Sequence, residues 1–221
     1  MTEGPTRFRD LTLAAFVDRL ASSAAVPGGG SASAITGSLA AALVRMVVAL
    51  SLERPKYAAY EATLRRADGV AERALERLLS LADEDATAYG RLAAVLRMPK
   101  TTPDEEDARR AAIRVAAREA ALSPLAVMRE CWDVLTVSEA IAGRSNVNAS
   151  SDVSTAASLA EAGARGAASN VLINLPLTAD DAFEAEAKTE VVRTLEAIDD
   201  VATQARFAAA RSELRDPEPA T

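Results

Sequence analysis

The sequence predicts an all-α fold, a single up-and-down helical bundle domain with a small-residue helix at its centre. Three observations carry this expectation. Apolar residues recur at three- and four-residue spacing along almost the whole chain. No segment shows the two-residue alternation of β-branched and aromatic side chains, bounded by turn residues, that marks a strand. A chain of 221 residues with 49% hydrophobic content suffices for one sizeable core and would cramp two, so residues 1–221 read as one domain with its core at about 10–205.

The elements follow in order. A first helix starts near Asp10, a suitable N-cap, with Leu13, Phe16, Val17 and Leu20 as its apolar stripe. Pro27 to Gly30 break the chain. A second helix covers about Ser31 to Glu53, where Ile35, Leu39, Leu43, Met46, Val47 and Leu50 form an apolar row among alanines, and its composition makes it the expected centre of the bundle. Pro55 interrupts before a long helix from about Tyr57 to Arg97, with Leu64, Ala71, Leu75, Leu78, Leu79 and Leu92 toward the core. Pro99 ends it. Asp104 to Asp107 place acidic residues in the first turn of the next helix, which reaches about Leu122, and Pro124 opens another that runs to about Ala142 before Gly143. The polar segment Arg144 to Ser151 is a loop. A second small-residue helix spans about Asp152 to Leu175, Pro176 closes it, and an acidic helix of about Thr178 to Leu214 leaves Asp216 to Thr221 as a frayed tail.

Composition narrows the function classes. A formal charge of −7 argues against nucleic acid as a partner, because binding would need clustered Lys and Arg to neutralise phosphates. Cys131 is the single cysteine, so no intramolecular disulfide framework exists. With no histidine there is no histidine metal site and no histidine-based triad; no metal is expected, and proton transfer falls to Asp, Glu, Lys or Tyr. The first ten residues carry Glu3, Arg7, Arg9 and Asp10 ahead of any apolar stretch, which predicts a cytoplasmic protein without a secretory signal. The uncharged run from Leu20 to Val44 has the length of a membrane span, but Pro27, three glycines and frequent serines interrupt it. A buried helix in close contact with its neighbours, and no membrane, is the expectation. Alanine-rich faces and a long helix with mixed character suggest a symmetric second copy.

Several polar residues stand where a bundle does not need them. Pro27-Gly-Gly-Gly-Ser31 reads either as an interhelix turn with Ser31 as N-cap or as a bare backbone site, whose amides and helix N-terminus would receive an anion. Asp83, Glu84 and Asp85 sit mid-helix, where 100° per residue sends one toward the buried stripe and another to solvent; a solvated acidic face is the plain reading. Asn146, Asn148, Ser151 and Asp152 exceed what one helix cap requires. Asn170 and Asn174 lie four apart on an otherwise apolar helix, where a buried amide needs a partner. A nucleotide-binding reading of the glycines fails, since no strand precedes them and no Gly-Lys-Ser or Gly-x-Gly-x-x-Gly pattern is present.

Taken in order, Pro27-Gly-Gly-Gly-Ser-Ala-Ser-Ala34 with Met46-Val47 and Leu50, Lys56-Tyr57, Asp85-Ala86, Pro99-Lys100, Asn146, Ser151-Asp152, Asn170-Val171 and Asn174-Leu175 resemble the cyclodeaminase/cyclohydrolase family over roughly residues 10 to 205. That family comprises the C-terminal domain of formiminotransferase-cyclodeaminase and stand-alone methenyltetrahydrofolate cyclohydrolases. The resemblance implies an all-helical homodimer that processes one-carbon units on a tetrahydrofolate derivative, its substrate, with no tightly bound cofactor. It implies roles too. The amides of Gly28, Gly29, Gly30 and Ser31 would hold a carboxylate or a developing oxyanion, and Lys56 beside Tyr57 would pair with the folate glutamate tail or tune a nearby carboxylate. Asp152, next to Ser151, would accept the pterin's paired donors, while Asn146, Asn170 and Asn174 would fix orientation. Asp85 is the expected proton carrier. Hydrolysis of 5,10-methenyltetrahydrofolate to 10-formyltetrahydrofolate is the first expectation; release of ammonia from formiminotetrahydrofolate, or folate or partner binding without turnover, are the alternatives.

Overall fold

The computed structural model describes residues 7–217, and among these every regular element is helical. Six α-helices follow one another: α1 Leu13–Leu20, α2 Gly29–Ala49, α3 Glu61–Val95, α4 Pro103–Ile141, α5 Ser150–Asn174 and α6 Asp181–Arg211. Short 3₁₀ turns at Phe8–Asp10, Pro55–Tyr60, Val147–Ala149 and Leu175–Thr178 join or precede them. Helices α2, α3, α4 and α5 pack as a ring in which each touches the next, and α6 lies across α4 and α5.

Close approach in the ring comes from residues that lack bulk. The buried face of α2 consists of Gly30, Ser31, Ser33, Ala34, Gly37, Ser38, Ala40, Ala41 and three valines, and α5 answers with Ala156, Ala157, Ala160, Gly163, Ala164, Ala167 and Ala168. At their crossing a Cβ on Gly163 would stand 3.0 Å from the Ser33 carbonyl and 3.3 Å from the Gly37 amide, while one on Gly37 would stand 2.5 Å from Cys131 Sγ. Backbone therefore meets backbone here, and Cys131 of α4 fills the remaining space.

The structure corrects several sequence expectations. Pro124 does not start a helix; it lies inside α4, which continues unbroken from Pro103 to Ile141. Asp104, Glu105 and Glu106 occupy the first turn of that helix as expected, and Thr102 caps it in a complete capping box with Glu105. Thr12 rather than Asp10 caps α1, and Gly28 rather than Ser31 is the N-cap of α2. The apolar rows of α1 and α2 meet the core only in part. Only Phe16 of the α1 stripe is buried, against Phe8 at 5.6 Å, while Leu13, Val17 and Leu20 face outward. On α2, Val47 is fully buried and Ile35 and Leu43 are half-buried against the core as expected, but Leu39, Met46 and Leu50 are 52%, 40% and 38% exposed, and small residues hold most of the inside. The long side chains lie outside because an interior at this interaxial distance has room only for methyls and hydroxyls. Of the expected frayed tail, residues 218–221 lie outside the described residues. The segment before them is pinned: Arg215 N donates to Gly143 O at 2.7 Å, Tyr60 Oη donates to Arg215 O at 2.8 Å and Arg144 Nε donates to Asp216 O at 2.7 Å.

Candidate active site

The bend before α2 forms one wall of a cavity of about 240 Å³, lined by Ala25, Val26, Gly28, Gly29, Gly30, Asp85, Tyr89, Ala120, Asn170 and Asn174. Six of the residues singled out in the sequence therefore meet in space, from the bend, α3 and α5. Larger grooves exist, such as the one of about 460 Å³ between α3 and α4, but that one is lined by surface ion pairs such as Arg77 with Glu84 and Arg91 with Glu119. Convergent polar groups on rigid helices mark the smaller cavity as the functional candidate.

Helical geometry separates the acidic trio. Asp83 turns to the N-terminal segment and accepts the Phe8 N–H at 2.8 Å, Glu84 pairs with Arg77 at the surface, and Asp85 faces the start of α2. Its approach depends on Gly30, where a Cβ would stand 2.5 Å from Asp85 Cγ. The Ser31 hydroxyl lies 3.0 Å from Asp85 Oδ2, and the Ser31 backbone also hydrogen-bonds the carboxylate. Burial pushes the Asp85 carboxyl above its ordinary range, and the two hydrogen bonds from Ser31 pull against that without cancelling it.

Asp85 thus takes the place at the helix N-terminus that the sequence reading assigned to a bound anion, and Ser31, fully buried, serves Asp85 instead of lining the cavity. The first helical hydrogen bond of α2 is Ala32 N to Gly28 O, which leaves the N–H groups of Gly29 and Gly30 as main-chain donors.

The asparagines present the opposite polarity. Asn174 spends both amide hydrogens on carbonyls, Ala120 O at 3.0 Å and Asn170 O at 2.9 Å, and Asn170 donates to Gly166 O at 2.8 Å. Their Oδ1 atoms are left as acceptors. The Ala120 carbonyl is free to accept because residue 124, its helical partner four positions on, is a proline without an N–H. Pro124, read in the sequence as a helix start, is a gap in the α4 ladder beside the cavity. Together the lining groups are rich in acceptors, carry one carboxyl and include no Lys or Arg. They fit a donor-bearing or cationic portion of a ligand better than a carboxylate tail.

The remaining sequence candidates gather elsewhere. Tyr57 and Asn146 join the far end of α2 to the α4–α5 turn: Tyr57 Oη lies 3.4 Å from Asn146 Oδ1, Asn146 N donates to Ser51 Oγ at 2.8 Å, and Asn146 Nδ2 donates to Leu50 O at 3.3 Å. Both are buried and hold structure. Lys56 is exposed with its ammonium 5.5 Å from the Tyr57 ring centre, and Ser151 and Asp152 sit in the first turn of α5, exposed and half-buried. Because α2 has 21 residues, this cluster stands about 30 Å along the helix from Gly29 in the same chain, so Lys56 does not tune Asp85 within one chain. Four lining residues were not among the sequence candidates, Ala25, Val26, Tyr89 and Ala120, and two of them are marked by their spacing. The signals were available: Tyr89 follows Asp85 by one turn, and Ala120 precedes Pro124 by one turn.

Comparison with known proteins shows the family. Residues 12–193 match the family model described as formiminotransferase-cyclodeaminase. The chain belongs to this family. A methenyltetrahydrofolate cyclohydrolase of Methylorubrum extorquens is 38% identical over 180 residues, which cover 81% of this chain and 86% of that relative. The formimidoyltransferase-cyclodeaminase of Sus scrofa is 34% identical over 203 residues, 92% of this chain, which spans only 37% of that longer protein. Among solved structures, the formiminotetrahydrofolate cyclodeaminase of Thermotoga maritima superposes with a TM-score of 0.75 at 26% identity, covering 92% of this chain and 96% of that one.

Proposed function

We propose that this chain hydrolyses 5,10-methenyltetrahydrofolate to 10-formyltetrahydrofolate, with Asp85 as proton carrier. The observation that carries the proposal is the desolvated Asp85 carboxyl at a cavity whose other polar groups are acceptors, two backbone amides and the Tyr89 hydroxyl. The methenyl bridge is an amidinium cation and the pterin carries N–H donors, so acceptors and a single carboxylate suit this end of the substrate. Water adds to the methenyl carbon and loses a proton to Asp85. The C–N5 bond then breaks as N5 receives that proton, the adduct's hydroxyl proton leaves to solvent, and the N10-formyl group remains. The match covering most of the M. extorquens cyclohydrolase supports this order of preference. The test is loss of the methenyl absorbance against the spontaneous rate. Asp85→Asn should lower turnover by about 10²-fold or more while the protein stays folded, and parental turnover in that variant overturns the assignment. Formiminotetrahydrofolate with ammonia detection separates the cyclodeaminase reaction, and binding without consumption of either compound would identify a non-catalytic folate-binding module.

A homodimer is part of the same proposal. The outer face of α2 exposes Leu39, Met46 and Leu50, and with the half-buried Ile35 and Leu43, which also pack on the core, these form one uncharged stripe on a helix whose most apolar window has a mean hydropathy of 1.7 and is only half buried. An antiparallel two-fold pairing of this stripe with itself is self-complementary. Its midpoint falls between Ala42 and Leu43, and Gly29 and Lys56 lie equally far along the chain on either side. Such a pairing would bring Lys56 of a second copy to the level of the bend, where a cation for the folate tail is missing from the cavity lining. Leu39→Glu should halve the mass measured by light scattering; a monomeric parent, or a dimer undisturbed by this change, refutes the pairing.

A further inference from the structure

We infer that Ser31 is a positioning residue that lets Asp85 hold and return a proton, by turning its one hydroxyl hydrogen between the Asp85 carboxylate and the Ala82 carbonyl. The inference rests on the reading of Asp85 as proton carrier and adds a device to it. Ser31 Oγ stands 3.0 Å from Asp85 Oδ2 and 3.0 Å from Ala82 O, and the residue is fully buried. A hydroxyl has one hydrogen and two lone pairs, so it cannot donate to both oxygens at once. With Asp85 ionised, Ser31 donates to the carboxylate. With Asp85 protonated, the carboxylic O–H donates to Ser31 Oγ, and Ser31 passes its own hydrogen to Ala82 O, which has a second lone pair beside its helical bond.

Both states are fully partnered, and neither exposes a buried charge or a buried hydroxyl without an acceptor. A rotation of one bond in Ser31 exchanges them. The surroundings leave this hydrogen as the group that responds. From α2, Gly29, Gly30 and Ser31 face Asp85; from α3, Tyr89; from α4, Ala120; from α5, Asn170 and Asn174; from the bend, Ala25 and Val26. Tyr89 is the only other titratable group of that set, and none of the set is a Lys, an Arg or a second carboxylate. Gly30, with no side chain, keeps the carboxylate within reach of the hydroxyl.

The test uses the full chain and the variants Ser31→Ala and Ser31→Thr. Loss of a hydrogen bond to the charged form should move the Asp85-controlled limb of the kcat/KM profile for methenyltetrahydrofolate up by about one pH unit in Ser31→Ala. In the same variant kcat should fall at least tenfold while KM changes less than threefold, because the hydroxyl acts on the proton and not on the bound substrate. Ser31→Thr keeps the hydroxyl and should return the limb to within a few tenths of a pH unit. Carboxyl carbon NMR of Asp85 should titrate higher in Ser31→Ala than in the parent. An unmoved Asp85 titration in Ser31→Ala overturns the inference outright. If the titration moves while Asp85→Asn keeps parental turnover, the reading of Asp85 as proton carrier fails and the hydrogen-bond switch stands without a catalytic use, so the two failures are told apart.

Discussion

Replacing Gly30 by alanine asks whether the touch between α2 and Asp85 is what the site depends on. A Cβ built there would lie 2.5 Å from Asp85 Cγ and 2.6 Å from Oδ2, where ordinary contact begins near 3.4 Å. Asp85 must then retreat by about 1 Å, and displacements of that size cost about 10²-fold in rate when the displaced group carries the chemistry. Stability changes less. Overpacking costs about 1–3 kcal/mol, and replacing glycine by alanine within a helix returns up to about 1 kcal/mol, so a net loss of about 0–3 kcal/mol is expected. The neighbouring glycines grade the effect: at Gly29 the new carbon would stand 3.3 Å from Asn170 Nδ2, a few tenths tight, and at Gly28 nothing lies within 4 Å. Methenyl turnover should therefore fall in the order Gly30→Ala, then Gly29→Ala, then Gly28→Ala. Gly37→Ala, which drives a carbon into Cys131 away from the cavity, should lower the melting temperature and leave kcat per folded molecule intact. Parental kcat in Gly30→Ala, or equal losses at all three bend positions, would refute the argument.

Three further outcomes follow from the same geometry. Pro124→Ala restores an N–H to the α4 ladder, so the melting temperature should rise by several degrees, corresponding to about 1 kcal/mol or more, while KM for folate rises as Asn174 loses its sole claim on Ala120 O; a lower melting temperature counts against this account. Asp85→Asn should be as stable as the parent or more so at neutral pH. A carboxyl whose folded pKa is raised contributes stability that is fully present below its unfolded value near 3.8 and is lost as pH climbs through the raised value, so the downward slope of stability with pH above 3.8 should shrink in the variant, measured by urea titration across pH. Cys131, buried, has its thiol pushed up to about 12. It should resist a thiol reagent at pH 8 until the chain is unfolded, and its contribution to stability, complete below the unfolded thiol's pKa of about 9, should disappear as pH rises toward 12.

The fold was legible in the sequence because three- and four-residue periodicity persists through all the long helices, and half of the site was legible because residue type and place coincide there. Gly28 to Gly30, Asp85, Asn170 and Asn174 were chosen for being polar or bare among alanines, and they share one cavity. Asn146, singled out on the same ground, and Tyr57, which entered only through the family resemblance, hold a turn, since a buried polar side chain serves backbone and ligand by the same chemistry. The role of Ser31 could not be read, because its partner lies 54 residues away in the sequence. The outward-facing members of the α1 and α2 stripes were missed for another reason: periodicity locates an apolar face and does not say whether all of that face meets its own chain or another surface. Pro124 was misread because prolines usually end helices, whereas here a side chain from α5 occupies the carbonyl that the proline abandons.

The use of such small residues in α2 and α5 is explained jointly by the site and the fold. A carboxylate as short as that of Asp85 reaches the first amides of a neighbouring helix only if the two backbones stand close, and every larger side chain on the inner face of α2 would separate them. Closeness has a consequence for the outer face, because an inner face made of methyls and hydroxyls buries little apolar area, and α2 carries its large side chains on the other side. The arrangement that places Asp85 against Ser31 thus also leaves Leu39, Met46 and Leu50 uncovered in one chain. If the outer stripe is what joins two copies, a charge at Leu39 should change assembly and reduce turnover together, because the bend and the partner's Lys56 would part. If turnover survives in a monomeric Leu39→Glu protein at saturating folate with an unchanged KM, the site is complete within one chain, and Lys56 has no part in it.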